Sequence, residues 1–504
     1  MNRSSRDLFN EILFEPLASF TGPAVLGPEI CHYPGLLKRV DCLADRLRGA
    51  GLEDSMRVGI CCDPSPEYIV SLLAVLRSGA TALMLSPTWT RFEVDRCIQS
   101  VNPSFLLTHG ANPGTGGVHS TIDTDEKSLR ILDCRRGTLE AGRPGDAVII
   151  FTSGTSGLPK GVVLSAGGLL SNVAAIREYL EVEAKDAAPL FTPTCYAYAV
   201  SQVLVQILGR AAICPIRRGL RYPILILEAI QQFGLKGLSA NPTSFKILMK
   251  TAAGEDLDLT SLRYAMGGGQ FLARQVVDDM QQCFPNSGVV NQYGCTENSP
   301  RISYHWVRDH EQPLTGKSLP VGRAVRGTEL MVADEQANPV SEGEIGQVMI
   351  RGTSLMSRYW RMPGETKEKF IKGWLKTGDV GLLDSEQNLV LIGRMTDSIN
   401  IGNEKVDPGE IEGYIQELPE IQEAAILGVE DPLLGEAVEA VVQVVEQNTL
   451  TESEVTLKCR SYLKELVSAY KIPRKIHLRQ SLPRNLYGKL DRKRLREWIA
   501  DPGK

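Results

Sequence analysis

The chain has 504 residues, of which 43% are hydrophobic and 23% charged, and its formal net charge is -5. That length exceeds one ordinary core and implies about three packing units meeting at clefts. The composition is that of a folded globular protein, and the negative balance disfavours a nucleic-acid partner held by bulk electrostatics.

Arg3, Arg6, Asp7, Glu11 and Glu15 break up any apolar secretion signal near the start, so a cytoplasmic location is expected. Residues 58–62, 80–85 and 147–152 read as short β-rich runs, and 67–76 as a helical pattern between two of them. That alternation predicts parallel α/β layers. The apolar stretch 68–85 is interrupted by Arg77, Ser78 and Gly79, which predicts a buried helix, a turn and a strand and no membrane span. Cysteines, from Cys31 to Cys459, lack paired Cys-x-x-Cys spacing and a His cluster, so neither a zinc site nor a disulfide frame is expected.

From about Val321 the texture shifts to shorter strands punctuated by Gly and Pro, as in 343–351 and 389–393, which predicts a β-rich subdomain over 321–393. After Arg394 a separate α+β pattern begins: Ile411, Ile415 and Leu418 share a helical face, and Val438, Ala440, Val442 and Val444 alternate as in a strand. The fold class expected is α/β, with a large N-terminal domain over 1–393 and a small C-terminal domain over 397–504.

Residues 151–161 read Phe-Thr-Ser-Gly-Thr-Ser-Gly-Leu-Pro-Lys-Gly after an apolar strand. Gly154 and Gly157 let the backbone approach an anion, while Thr152, Ser153, Thr155 and Ser156 offer hydroxyls and Lys160 a charge. This suits a triphosphate, although the Walker spacing is absent. A structural Gly/Ser loop is the plainer alternative.

With this loop the chain resembles the adenylate-forming superfamily of acyl- and aryl-CoA synthetases, peptide-synthetase adenylation domains and luciferases, and the resemblance continues in order along the chain. Residues 291–297, Asn-Gln-Tyr-Gly-Cys-Thr-Glu, resemble the family segment that puts Tyr293 beside adenine, Thr296 near the phosphate and Glu297 on Mg²⁺, with Gln292 and Gly294 also at the nucleotide. A carboxylate is the hard oxygen ligand that ion prefers, whereas an isolated Thr-Glu reads as a helix cap. Gly267, Gly268 and Gly269 resemble the glycine-rich wall of the adenine and acyl pockets. Asp379 and Arg394 match the ribose-holding segments; an ionised Asp accepts from two hydroxyls at once. Lys489 in 482–492 resembles the catalytic lysine that stabilises charge as pyrophosphate leaves, although alone it reads as part of a basic tail with Lys493, Arg494 and Arg496. The resemblance further implies a hinge at 394–396, centred on Thr396 where the family carries Asp or Lys, a mobile C-terminal domain, and a pantetheine path past Gly402.

The activity implied is ATP- and Mg²⁺-dependent adenylation of a carboxylic acid, then acyl transfer to a thiol. Residues 192–199 hold no carboxylate to pair an α-ammonium, which favours an acid without an α-amino group. Tyr196 stands where many acyl-CoA ligases have His, and with Tyr198 it can wall an acyl or aryl pocket. CoA is the first expected acceptor; a separate acyl or peptidyl carrier protein presents the same phosphopantetheine end. An oxygenase outcome and an inactive ATP-binding scaffold are the remaining readings.

Overall fold

The computed structural model describes residues 4–109, 120–122, 129–134, 142–152, 160–269, 272–312, 319–394, 399–402, 404–406, 408–445, 450–483 and 490–500. The chain forms two compact units. The first is Met1–Pro87, Cys97–Phe151 and Gly161–Gly393; the second is Thr88–Arg96, Thr152–Lys160 and Arg394–Lys504.

In the first unit the strand Arg57–Cys61 runs parallel between Thr81–Leu85 and Phe105–His109, and all three are buried along most of their length. Such continuous apolar strands suit a parallel sheet covered on both faces. The helix Pro66–Arg77 starts where the Ser65 hydroxyl accepts from the Tyr68 N–H at 3.2 Å, with proline in its first turn. Every residue from Tyr68 to Leu76 is buried, so the helix, turn and strand expected across 68–85 are all present.

A second sheet orders Gly237–Ala240, Tyr264–Gly268 and Gly288–Gly294 in parallel and closes with antiparallel Arg301–Trp306 and Arg323–Ala324. A third, antiparallel sheet contains Thr328–Ala333, Gly346–Gly352 and Trp374–Leu383, with Phe370–Ile371 and Leu389–Arg394 also paired to the last. These are the short Gly-punctuated strands anticipated after Val321.

The second unit is built on Gly435–Val444, which pairs antiparallel with Ile421–Asp431 and parallel with Lys475–Arg479. Simple alternation predicts one buried face for this strand. Instead Val438, Ala440 and Val442 enter one apolar cluster, while Val441 joins Leu427, Leu482 and Leu495 in another. Both faces are covered, because Pro408–Gln416 and Glu452–Leu466 pack on one side and Arg492–Ala500 on the other. Ile411 and Ile415 lie in the core as expected, but the helix ends at Gln416, so Leu418 packs from beyond its last turn.

A buried charge cluster holds this unit together. The Lys471 ammonium donates to Glu93 at 2.7 Å and to both Glu410 oxygens at 3.1 and 3.2 Å, and the Ser468 hydroxyl donates to Glu93 at 2.7 Å. Burial pushes the Glu93 carboxyl up, but Lys471, Ser468 and the Thr90 N–H outweigh it and hold Glu93 below the usual carboxylate range. Burial likewise pulls Lys471 down, while Glu410 and Glu93 raise it above the ordinary lysine range. Glu93 therefore contributes stability above its unfolded value of about 4.3, and loses it as pH falls through the lower folded value. Lys471 contributes below about 10.4 and loses it as pH rises through the higher folded value. Lys471→Met should lower stability by about 3–5 kcal/mol, because two carboxylates would stay buried without their cation. The shift in urea midpoint measures it, and a change under about 1 kcal/mol would reject the role.

The molecule is α/β, with a large N-terminal body and a smaller C-terminal one. Among the described residues no helix is long and apolar enough to cross a membrane.

Candidate active site

In the first unit, the carboxyl ends of the parallel strands converge on glycine. Strand register sets Gly267 beside Asn291 and Gly268 beside Gln292, and open α/β sheets bind ligands beyond such strand ends. A Cβ on Gly268 would lie 2.6 Å from the Gln292 side chain, and one on Gly294 only 2.1 Å from the Pro300 carbonyl. Gly269 has φ +83°, and no atom of the described residues lies within 4 Å of where its Cβ would stand, so a ligand can approach its backbone there.

Tyr293 projects from the last parallel strand, and its hydroxyl donates to the Asp379 carboxylate at 2.5 Å. Asp379 is only 4% exposed and sits in Trp374–Leu383, so this bond joins two sheets. Its own N–H donates to the Thr377 hydroxyl at 3.1 Å, which in turn donates to the Val348 carbonyl at 2.7 Å. Burial pushes the Tyr293 hydroxyl well above its ordinary range, and the Asp379 charge adds to that. Tyr293 therefore remains a neutral donor to Asp379.

Thr296 opens the short turn Thr296–Asn298 and Glu297 follows, half-buried. The Tyr359 hydroxyl donates to Glu297 Oε1 at 2.7 Å, and the Met356 N–H donates to the Glu297 carbonyl at 2.7 Å. Tyr359 pairs with Val162 across the antiparallel ladder, so the carboxylate is fixed against the strand that follows residues 153–159. Burial, then Glu297, raise the Tyr359 hydroxyl far above its usual range. Sequence reasoning missed this tyrosine, because it stands 62 residues from its partner in a segment without a recognisable spacing.

Tyr196 caps the helix Ala197–Gly209 at half-burial. Two residues on, the Tyr198 hydroxyl accepts from the Gln292 amide at 2.6 Å, which ties that helix to the glycine-rich strand ends. Gly267 is buried beside Leu272. The structure thus brings Tyr198, Gly268, Gln292 and Tyr293 into one neighbourhood with Asp379. It also adds Arg301, whose guanidinium lies 5.4 Å from the Tyr198 ring centre.

In the second unit the Thr152 hydroxyl donates to the Lys160 carbonyl at 3.4 Å, across the two ends of the phosphate-loop sequence. Ser153, Gly154, Thr155, Ser156 and Gly157 lie outside the described residues, as do Thr396 and Lys489. Arg394 ends the strand Leu389–Arg394, and only its backbone is described. Gly402 has φ +58°, and its N–H donates to the Leu434 carbonyl at 2.8 Å.

Among the described residues no group of three or more His, Cys, Asp or Glu side chains is placed to hold a metal. Glu297 is a single held carboxylate, a donor set that fits Mg²⁺ shared with substrate phosphates and not a closed protein cage.

Residues 23–360 match the AMP-binding enzyme family, and residues 410–489 match the AMP-binding enzyme C-terminal domain. The chain belongs to the AMP-binding enzymes. This AMP-binding enzyme is 28% identical over 472 residues to 4-coumarate–CoA ligase 1 of Arabidopsis thaliana, which spans 86% of this chain and 82% of that protein. It shares its fold with a double mutant of o-succinylbenzoate CoA synthetase from Bacillus subtilis, at a TM-score of 0.83 and 22% identity over 99% of this chain and 98% of that one. An amide bond synthetase from Marinactinospora thermotolerans has the same fold, at a TM-score of 0.82 and 23% identity over 98% and 99%.

Proposed function

We propose that this AMP-binding enzyme is an AMP-forming acid–thiol ligase, which adenylates a carboxylic acid with release of pyrophosphate and passes the acyl group to CoA. The observation that carries this reading is the buried Asp379 carboxylate held by Tyr293 at 2.5 Å next to a glycine wall. Such a carboxylate accepts from both hydroxyls of a ribose. Thr152, Ser153, Thr155, Ser156, the backbone at Gly154 and Gly157, and Lys160 would hold the ATP phosphates; Gly268, Gly269, Gln292, Tyr293 and Gly294 would border adenine, and Arg394 would add a ribose donor. Thr296 would contact the α-phosphate. Glu297 would hold Mg²⁺, which neutralises phosphate charge when bound.

In the reaction, a carboxylate oxygen attacks the α-phosphorus in line, the bond to the bridging oxygen breaks, and pyrophosphate carries the negative charge away. Lys489 would stabilise that charge as it develops. The thiol then attacks the acyl carbon and AMP leaves, with Gly402 beside the pantetheine arm. Thr396 is the proposed hinge, and Tyr196, Tyr198 and Gly267 would border the acid.

The similarity to a CoA ligase supports a thioester product, while the amide bond synthetase shares the fold alone, so the acceptor needs its own measurement. The test is pyrophosphate release with ATP and Mg²⁺ across fatty, aryl and amino acids, with CoA in half of the reactions. Acid-dependent release with acyl-CoA formation is expected. Release without a CoA thioester would make a carrier protein the leading acceptor, and silence across a broad panel would reject the ligase reading.

A further inference from the structure

Arg301 is 3% exposed, and among the described residues no carboxylate lies within ion-pair distance of it. Its backbone is clamped on both sides. The Arg301 N–H donates to Asn172 Oδ1 at 3.0 Å, and its carbonyl accepts from the Asn172 and Asn298 amides at 2.8 and 2.7 Å. The side chain is therefore aimed by a rigid main chain. Its guanidinium faces the Tyr198 ring, and its Nε–H has no hydrogen-bond partner among the described residues.

Arg301 lines a cavity of about 20 Å³ with Gln202, Gln206, Ser239 and Met266, room for one small polar group. The Gln202 and Gln206 carbonyl oxygens also have no partners among the described residues. Either amide can turn over to present its two N–H groups instead. The Tyr179 hydroxyl shares a side-chain hydrogen bond with Arg301, but burial pushes it up to about 12 although Arg301 pulls it down, so it is a neutral partner and no phenolate supplies the anion at neutral pH.

A buried guanidinium without an anion is costly to maintain. The cavity is lined by Met266 and Arg301, and Arg301 faces the same Tyr198 ring whose hydroxyl Gln292 holds. An anionic group in this cavity would be a natural partner for it.

We infer that Arg301 determines specificity by binding a second, distal carboxylate of the acid substrate, so that this enzyme adenylates a dicarboxylic acid. This rests on the ligase reading. Guanidinium and carboxylate match as a two-bond fork, and a site built around an unmet donor rejects the analogue lacking the acceptor.

The experiment pairs aliphatic and aryl dicarboxylic acids with the monoacids that lack only the distal carboxylate. Calorimetric binding is measured with and without a non-hydrolysable ATP analogue, beside pyrophosphate release. One diacid should exceed its partner by about 100-fold in kcat/KM and show a similar advantage in Kd. Arg301→Met should reduce that ratio to near one, and Arg301→Lys should restore part of it. If neither variant folds, the wild-type pairs decide alone. Equal pyrophosphate release within every wild-type pair would overturn the assignment and leave the ligase reading intact. Diacid binding that needs Arg301, with no acid-dependent release, would keep Arg301 as the carboxylate site but overturn adenylation of a diacid together with the ligase reading. Pairs indistinguishable in both binding and release overturn it.

Discussion

Asp379→Ala is expected to lower the rate of adenylation at limiting ATP by about 10²–10⁴-fold, mainly through a higher KM for ATP. The estimate follows from two hydrogen bonds to an ionised acceptor, each contributing about 1.5–3 kcal/mol, against 1.36 kcal/mol per factor of ten. Asp379 is buried and receives the Tyr293 hydroxyl at 2.5 Å, so it is held in one orientation before any nucleotide arrives. Asp379→Asn keeps the volume and one acceptor and should retain part of the function. The alanine variant also strips Tyr293 of its acceptor, with a stability loss of about 1–3 kcal/mol. Thermal unfolding beside steady-state kinetics separates these effects. A KM for ATP within twofold of wild type, in a folded Asp379→Ala protein, would remove Asp379 from the nucleotide site.

Lys489→Ala is expected to suppress acid-dependent pyrophosphate release by about 10²–10³-fold, the size seen when one preorganised donor to a developing charge is deleted. ATP binding should stay nearly the same. The reasoning is that an interaction made mainly as pyrophosphate departs lowers kcat when lost, whereas one made equally to bound ATP would raise KM instead. Single-turnover adenylate formation, followed beside nucleotide binding, distinguishes them. Unchanged adenylation would return Lys489 to the basic tail with Arg494 and Arg496.

Much of the architecture was legible from one dimension. Runs of buried β-branched and aliphatic residues at 57–61 and 81–85, with a capped helix between them, specify a parallel layer through periodicity and turn chemistry alone. The seven residues 291–297 nominate Tyr293, Thr296 and Glu297 together because they are contiguous. Where periodicity misled, the cause was tertiary. Val441 reads as solvent-facing in an alternating strand, yet it is buried because Leu482 and Leu495 cover that face.

The sequence by itself determined the α/β class, the ordered series of segments that resemble the AMP-binding family and the absence of a carboxylate from 192–199. Only the tertiary structure decided that Tyr293 meets Asp379 across two sheets, that Tyr359 holds Glu297 from a distant edge strand, and that Arg301 is buried without a counter-ion among the described residues. Helical and strand periods are local and visible in the residue order. A side chain's partner and its desolvation depend on which strands become neighbours, and that is settled only when the chain has packed.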